Sequence, residues 1–164
     1  MTLRDAREDD LPAIVGIYNA TIPGRMVTAD LEPVSVESRV SWFHAPRPDS
    51  RPLVVLEDST GVCAWLSFNS FYGRPAYNPT AEISIYVAES HRRRGLGRRL
   101  VVEAIARAPV CKIDTLLGFI WAHNEPSLRL FETYAFSRWG PLPRVAVLDG
   151  IERDLVIVGR RVAP

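Results

Sequence analysis

The stretch Ala81-Glu82-Ile83-Ser84-Ile85-Tyr86-Val87-Ala88-Glu89-Ser90-His91-Arg92-Arg93-Arg94-Gly95-Leu96-Gly97-Arg98 decides how this chain reads. Glu82 to Val87 alternates in the period of a half-buried strand. Alternation sets Glu82, Ser84 and Tyr86 on one face and Ile83, Ile85 and Val87 on the other. The segment Arg92-x-x-Gly95-x-Gly97 comes next and runs at once into a helical pattern, with Leu96, Leu100, Val101, Ala104 and Ile105 on one side. A strand that ends in free backbone N–H groups at a helix N-terminus is a site for a phosphate. Gly95 and Gly97 let that backbone turn sharply and come close to a ligand. A solvated basic turn is the plainer reading of Arg-Arg-Arg-Gly-Leu-Gly-Arg. No Gly-Lys-(Ser/Thr) is present after it and the spacing G-x-G-x-x-G is absent, which disfavours a Walker-type nucleotide site and a dinucleotide fingerprint.

Outward from this stretch, the pattern predicts a mixed α/β domain. Leu3 to Arg7 reads as a strand. Asp9 or Asp10 is a candidate cap for a helix to about Asn19, with Leu11, Ile14, Val15 and Tyr18 on one face. Residues 20–34 read as a loop, and Ser35 starts a second helix through Val36, Val40 and Phe43. Pro46, Pro48 and Pro52 interrupt regular structure after that helix. Leu53–Leu56 is a buried-type strand, and Val62–Phe68 pairs back on it across the turn Asp58-Ser59-Thr60-Gly61. Residues 69–80 form a loop. After the Gly95–Ala108 helix, with Pro109 as its stop, come a strand at Leu116–Ala122 and a helix at Pro126–Tyr134. Strands near Val145–Leu148 and Asp154–Val158 are joined at Asp149-Gly150.

The chain has 164 residues, 47% of them hydrophobic and 24% charged, which predicts one soluble domain over 1–164. Its net charge of +1 offers no global basic bias for nucleic acid, and the Arg92–Arg99 run lacks interleaved aromatics. No segment approaches a membrane span and the N-terminus has no signal-type apolar run. Cys63 and Cys111 have no CxxC partners, so neither a disulfide framework nor a metal site is expected. The expected location is the reducing cytoplasm.

Four stretches together resemble the GNAT acyltransferases, and within them the branch that acetylates phosphinothricin and methionine sulfone. They are Ile17-Tyr18-Asn19 with Thr28; Ala81 to Val87; His91 to Gly97, which matches the (R/Q)-x-x-G-x-(G/A) coenzyme A motif; and His123 to Glu132, with Ala135-Phe136 beyond it where Gly-Phe is usual. The resemblance covers nearly the whole chain. It implies a single-domain α/β fold with a mixed, mostly antiparallel sheet whose strands splay, flanked by helices. It implies acetyl-CoA as co-substrate and no metal. Arg92, Arg93, Arg94, Gly95, Leu96, Gly97 and Arg98 then hold the pyrophosphate, largely through the backbone. Ile85, Tyr86 and Val87 offer main-chain groups to the pantetheine arm, Val87 N–H facing the thioester carbonyl. Asn124 and Ser127 add contacts, although a helix cap is the plain role of an Asn at that position.

An alkyl ammonium has a pKa of roughly 10, so only about one acceptor molecule in a thousand is free amine at neutral pH and a base is useful. The resemblance assigns that base to Glu82; an ion pair with an arginine is the structural alternative. Arg74 matches the branch's carboxylate-binding arginine. Pro75, Ala76, Glu82, Ile83 and Ser84 complete the expected acceptor site, with Tyr18, Met26, Tyr72 and Tyr77 as possible walls. Many family members carry a tyrosine general acid where this chain has Phe131, so no general acid is assigned. The implied reaction is direct transfer of acetyl from acetyl-CoA to the amine of a small amino acid or analogue. Acetylation of a peptide, protein or other amine, or a non-catalytic CoA-binding sensor, are the competing readings. A homodimer is expected, with Trp139, Leu142 and the C-terminal hairpin as interface candidates.

Overall fold

In a computed structural model, residues 1–45 and 50–163 are described. Pro46 and Pro48, read above as breakers, lie outside the described residues. Strand β1 (Thr2–Asp5) leads to α1 (Leu11–Asn19) and α2 (Val36–His44), then β2 (Leu53–Asp58), β3 (Gly61–Ser70) and β4 (Thr80–Val87). Helix α3 (Leu96–Val110), β5 (Thr115–Trp121), α4 (Glu125–Thr133), β6 (Ser137–Leu148) and β7 (Ile151–Arg161) complete the chain. The seven strands form one sheet in the order β1-β2-β3-β4-β5-β7-β6. Every neighbouring pair is antiparallel except β4 and β5. Among the described residues no helix is long and apolar enough to cross a membrane.

The sheet is covered on both faces, which explains the continuous apolar runs of its central strands. Val54, Leu56, Ala64, Leu66, Phe68 and Ile83 pack against Leu96, Leu100, Val101 and Ala104 of α3 and Leu128 and Phe131 of α4. Val55 and Trp65 turn the other way, toward Ile14 and Ile17 of α1, with Trp42 and Phe43 of α2 outside them. Leu100 and Leu128 are fully buried, and each such side chain stabilises the fold by roughly 1.5–3 kcal/mol.

Local stops and starts differ from expectation in three places. Asp10 precedes α1 without capping it: its carboxylate takes the Arg4 guanidinium at 2.7 and 2.9 Å and the Arg7 N–H at 2.7 Å. Pro109 lies inside the last turn of α3, and the helix ends beyond it, where Lys112 adopts φ 55°. A proline there forfeits only one bond near the end of the ladder. Strand β6 begins at Ser137, well before Val145. Gly140, Pro141 and Pro143 are accommodated because β6 is the sheet edge and its register with β7 shifts at Arg138/Gly140 and Leu142/Ala146.

The end of α4 is a Schellman cap. Phe136 N–H bonds the Phe131 carbonyl at 3.2 Å and Ala135 N–H that of Glu132 at 3.0 Å. The Phe131 and Phe136 rings meet edge to face at 4.9 Å. Ala135 must then hold φ 59°, a conformation that favours glycine. Ala135→Gly is expected to stabilise the protein by up to about 1 kcal/mol, after the added flexibility of the unfolded chain is subtracted. Urea unfolding measures the change.

Candidate active site

Strands β4 and β5 pair at only three positions, Thr80↔Thr115, Ala81↔Leu116 and Glu82↔Leu117. Beyond Glu82 they part, while β4 stays paired with β3 through Val87↔Ala64. One edge of β4 is therefore left without a ladder partner from Ile83 onward. The Ala88 N–H bonds the Cys63 carbonyl on the β3 side at 2.9 Å, so strand alternation turns the N–H groups of Ile85 and Val87 to the open side. The gap is walled by Ile83–Tyr86 of β4, Gly118–Trp121 of β5, and Asn124, Ser127 and Phe131. It opens into a cavity of about 350 Å³ that reaches Val87, Arg92, Gly97, Pro126 and Leu130.

At the far end of that cavity the chain turns through Arg93 at φ 58° and Gly95 at φ 80°, and α3 begins at Leu96. Arg92, Arg93, Arg94 and Arg98 are exposed. None of them has an acid partner among the described residues, so four guanidinium groups and a helix N-terminus face solvent together. A pyrophosphate fits this end on charge and on main-chain donors. Asn124 is buried; its Oδ1 accepts the Ser127 N–H at 3.2 Å and its Nδ2 donates to the Met26 carbonyl at 2.6 Å. His123 Nε2 bonds the Arg25 carbonyl at 2.9 Å, and Arg25 pairs with Asp149 at 2.7 Å. These contacts strap residues 25–27 across the cleft, where Val27 becomes part of its wall.

Glu82 stands where the two strands separate. Its carboxylate has no hydrogen-bond or ion-pair partner among the described residues, and desolvation alone pushes its pKa above the usual 4.5. The ion pair considered from sequence is absent there. Across β3, Glu82 faces Asn69, Ser84 faces Ser67 and Tyr86 faces Trp65. The predicted alternation of β4 holds: Tyr86 joins the α1–α2 side, while Ile83, Ile85 and Val87 pack toward α3 and α4.

Other expected site residues lie apart. Arg74, Pro75 and Ala76 are exposed, on a loop whose Pro75–Tyr77 segment is a short 3-10 turn. They line none of the cavities just described. The loop returns to β4 under Arg51, a residue not anticipated from sequence. Arg51 is only 4% exposed and its Nη2 donates to the carbonyls of Asn78 and Thr80 at 2.9 and 3.0 Å. Its position among Pro48, Asp49 and Pro52 gives no sign of burial. Phe131 is buried at the cleft wall and cannot donate a proton. Among the described residues, Asp58, Cys63 and His91 are the one cluster of metal-type ligands, within 4.8 Å of one another. There Asp58 is already engaged by Thr60 and by His91 at 3.2 Å.

A sheet that opens between two parallel central strands, with a glycine-bent helix N-terminus beyond the gap, offers a cleft for an extended ligand with a phosphate at one end. Residues 14–136 match the Acetyltransferase (GNAT) family. The chain is 53% identical over 164 residues to YwnH of Bacillus subtilis, provisionally described as a phosphinothricin acetyltransferase, covering 99% of this chain and 100% of that one. It is 29% identical over 158 residues to an L-methionine sulfoximine/L-methionine sulfone acetyltransferase of Salmonella typhimurium, covering 96% and 92%. A crystal structure of the GNAT superfamily phosphinothricin acetyltransferase of Sinorhizobium meliloti in complex with AcCoA superposes with a TM-score of 0.92 at 26% identity, over 99% of this chain and 88% of that one. The chain belongs to the GNAT acetyltransferase family.

A partnerless, desolvated carboxylate has a stability signature. Because the folded-state pKa of Glu82 is raised, the fold loses stability as pH rises from the usual 4.5 through that raised pKa, and the loss is complete above it. Glu82→Gln is therefore expected to raise the melting temperature at pH 7, with the gain shrinking as pH falls through the raised folded-state pKa and gone below the usual 4.5. Thermal melts of both proteins across this range measure it.

Proposed function

We propose that the protein transfers the acetyl group of acetyl-CoA directly to the α-amine of a small amino acid or analogue, of the phosphinothricin, methionine sulfone or methionine sulfoximine kind. The observation that carries this reading is Glu82: an unpaired, desolvated carboxylate at the point where β4 leaves β5. A carboxylate tuned upward by desolvation is a better proton acceptor for an ammonium than an exposed one. The names of the relatives supply the acceptor class.

In the proposed reaction the pantetheine arm lies along the unpaired edge of β4 and its pyrophosphate reaches the Arg92–Arg98 turn. Glu82, directly or through a water, removes the proton of the acceptor ammonium. The freed nitrogen attacks the thioester carbon, the C–N bond forms, the nitrogen gives its remaining excess proton to water, the C–S bond breaks, and coenzyme A leaves as its thiolate. Val87 N–H is the donor for the carbonyl oxygen as negative charge grows there. No general acid is required, since thiol pKa values lie near about 8.5. Arg74 is the partner for the acceptor's carboxylate; its guanidinium has no acid partner among the described residues, and its loop enters β4 just before Glu82. The protein acts in the cytoplasm. It works as a homodimer joined through the C-terminal hairpin, where Trp139, Val145, Val147 and Ile151 are each more than half exposed.

Purified protein should release thiol from acetyl-CoA with L-phosphinothricin, L-methionine sulfone or L-methionine sulfoximine and not with polyamines or a lysine peptide. Turnover confined to the lysine peptide would favour the protein-acetylating alternative. Glu82→Gln should lower kcat by about 10²- to 10⁴-fold, and the acid limb of the wild-type kcat/KM profile should lie above pH 4.5. Arg74→Ala should raise the acceptor KM by about 10- to 100-fold while the acetyl-CoA KM stays within a few-fold.

A further inference from the structure

A second cavity lies on the opposite face of β4, beneath α1 and α2. It measures about 130 Å³, and its walls are Tyr18 of α1, Arg39 and Trp42 of α2, Trp65 of β3 and Tyr86 of β4. Its floor is polar: Ser67, Asn69 and Ser84. Ser84 and Tyr86 line both this cavity and the gap between β4 and β5, so the two spaces adjoin at those residues. Asn69 is the direct cross-strand neighbour of Glu82. Glu82 itself lines neither space, but its cross-strand neighbour Asn69 and its same-face neighbour Ser84 both line this cavity, so the cavity is the space beside Glu82 on its own face of β4.

We infer that this cavity is the subsite for the acceptor's side chain, and that Arg39 holds a terminal phosphinate, sulfonyl or similar oxo group there. The inference rests on the acetyltransferase reading above. The size fits: 130 Å³ is well below the roughly 300–1,000 Å³ of drug-sized sites, which suits a side chain of a few heavy atoms. The chemistry fits as well. Aromatic faces take methyl and methylene groups: the Trp65 and Tyr86 rings stack at 4.3 Å, and Tyr18 tilts against Tyr86 at 5.2 Å. Arg39 is the one cation among the described residues of the lining. Its position is fixed from two sides, 5.1 Å over the Tyr18 ring and 3.2 Å from Asp30 through Nη2. Nε and Nη1 have no protein acceptor among the described residues and remain for a ligand. Asn69 gives one amide hydrogen to Ser67 at 3.2 Å and has a second to offer. Burial and Asp30 push the Tyr18 pKa up, so its phenol stays neutral beside Arg39. A cationic side chain entering this space meets the Arg39 charge, and a plain thioether gains nothing from it.

The test compares kcat/KM for L-methionine sulfone, L-phosphinothricin and L-methionine in wild type, Arg39→Gln, Arg39→Lys and Asp30→Asn. The expected result is that Arg39→Gln lowers the sulfone-to-methionine and phosphinothricin-to-methionine ratios by about 10- to 100-fold. Arg39→Lys should restore part of each ratio, and Asp30→Asn should keep both. If Arg39 merely braces Asp30, both Arg39→Gln and Asp30→Asn will depress all three acceptors by one common factor, which overturns the subsite. Far-UV circular dichroism melts identify a variant that has failed to fold; if Arg39→Gln fails, Arg39→Met takes its place, and an unmoved ratio there overturns the subsite. A wild type silent toward all three acceptors overturns the acceptor class proposed above and this subsite with it. Activity with ratios that no variant moves overturns the subsite alone.

Discussion

The site depends on a ladder that stops. After Glu82↔Leu117, β4 and β5 exchange no further main-chain bonds, although both strands continue. Unpaired main-chain groups in a protein interior are costly unless something else satisfies them. A sheet that keeps such an edge open is built to receive a chain of donors and acceptors from outside. The two faces of the sheet allow this because each is packed independently. Helices α3 and α4 hold one, and α1 with α2 the other, so parting two central strands does not empty the core.

The same break governs the chemistry of Glu82. It enters β4 while the strand is still paired on both sides, with Asn69 opposite on β3 and Leu117 on β5, and neither offers its carboxyl a charge. An arginine at hydrogen-bond distance would hold the carboxyl low and make it a poor proton acceptor. Arg39, the cation of the adjoining cavity, is instead committed in part to Asp30. Basicity at Glu82 and positive charge in the cavity are thereby kept on separate groups.

Much of this was legible in the chain. The alternation of Glu82–Val87 and the glycines at 95 and 97 are local signals, and both the faces of β4 and the bend before α3 stem from them. The cap at Asn124 was legible for the same reason, since Pro126 and Ser127 follow it two and three residues on. The illegible features are non-local. Trp65 and Arg39 are far apart in sequence and line one cavity only because α2 lies over β3. Asp10 has the composition of a helix cap, but the Arg4 guanidinium competes for its carboxylate and wins. In β6, Pro141 and Pro143 are punctuation by any local rule; an edge strand tolerates them because its outer N–H groups have no partner to lose. Arg74 stands out by position, yet it sits on an exposed loop away from the cavity walls.

The strap at residues 25–30 joins what the sheet keeps separate. Its first half is tied to His123, Asn124 and Asp149, and its Val27 walls the gap between β4 and β5. Its second half carries Thr28 and Asp30, which hold Tyr18 at 2.5 Å, and Asp30 also holds Arg39. One short segment thus borders two compartments on opposite faces of a strand. A ligand that orders the segment from either compartment lowers the entropy cost of ordering it from the other. Two such occupants would be thermodynamic partners without touching, and the favour each did the other would be equal in size.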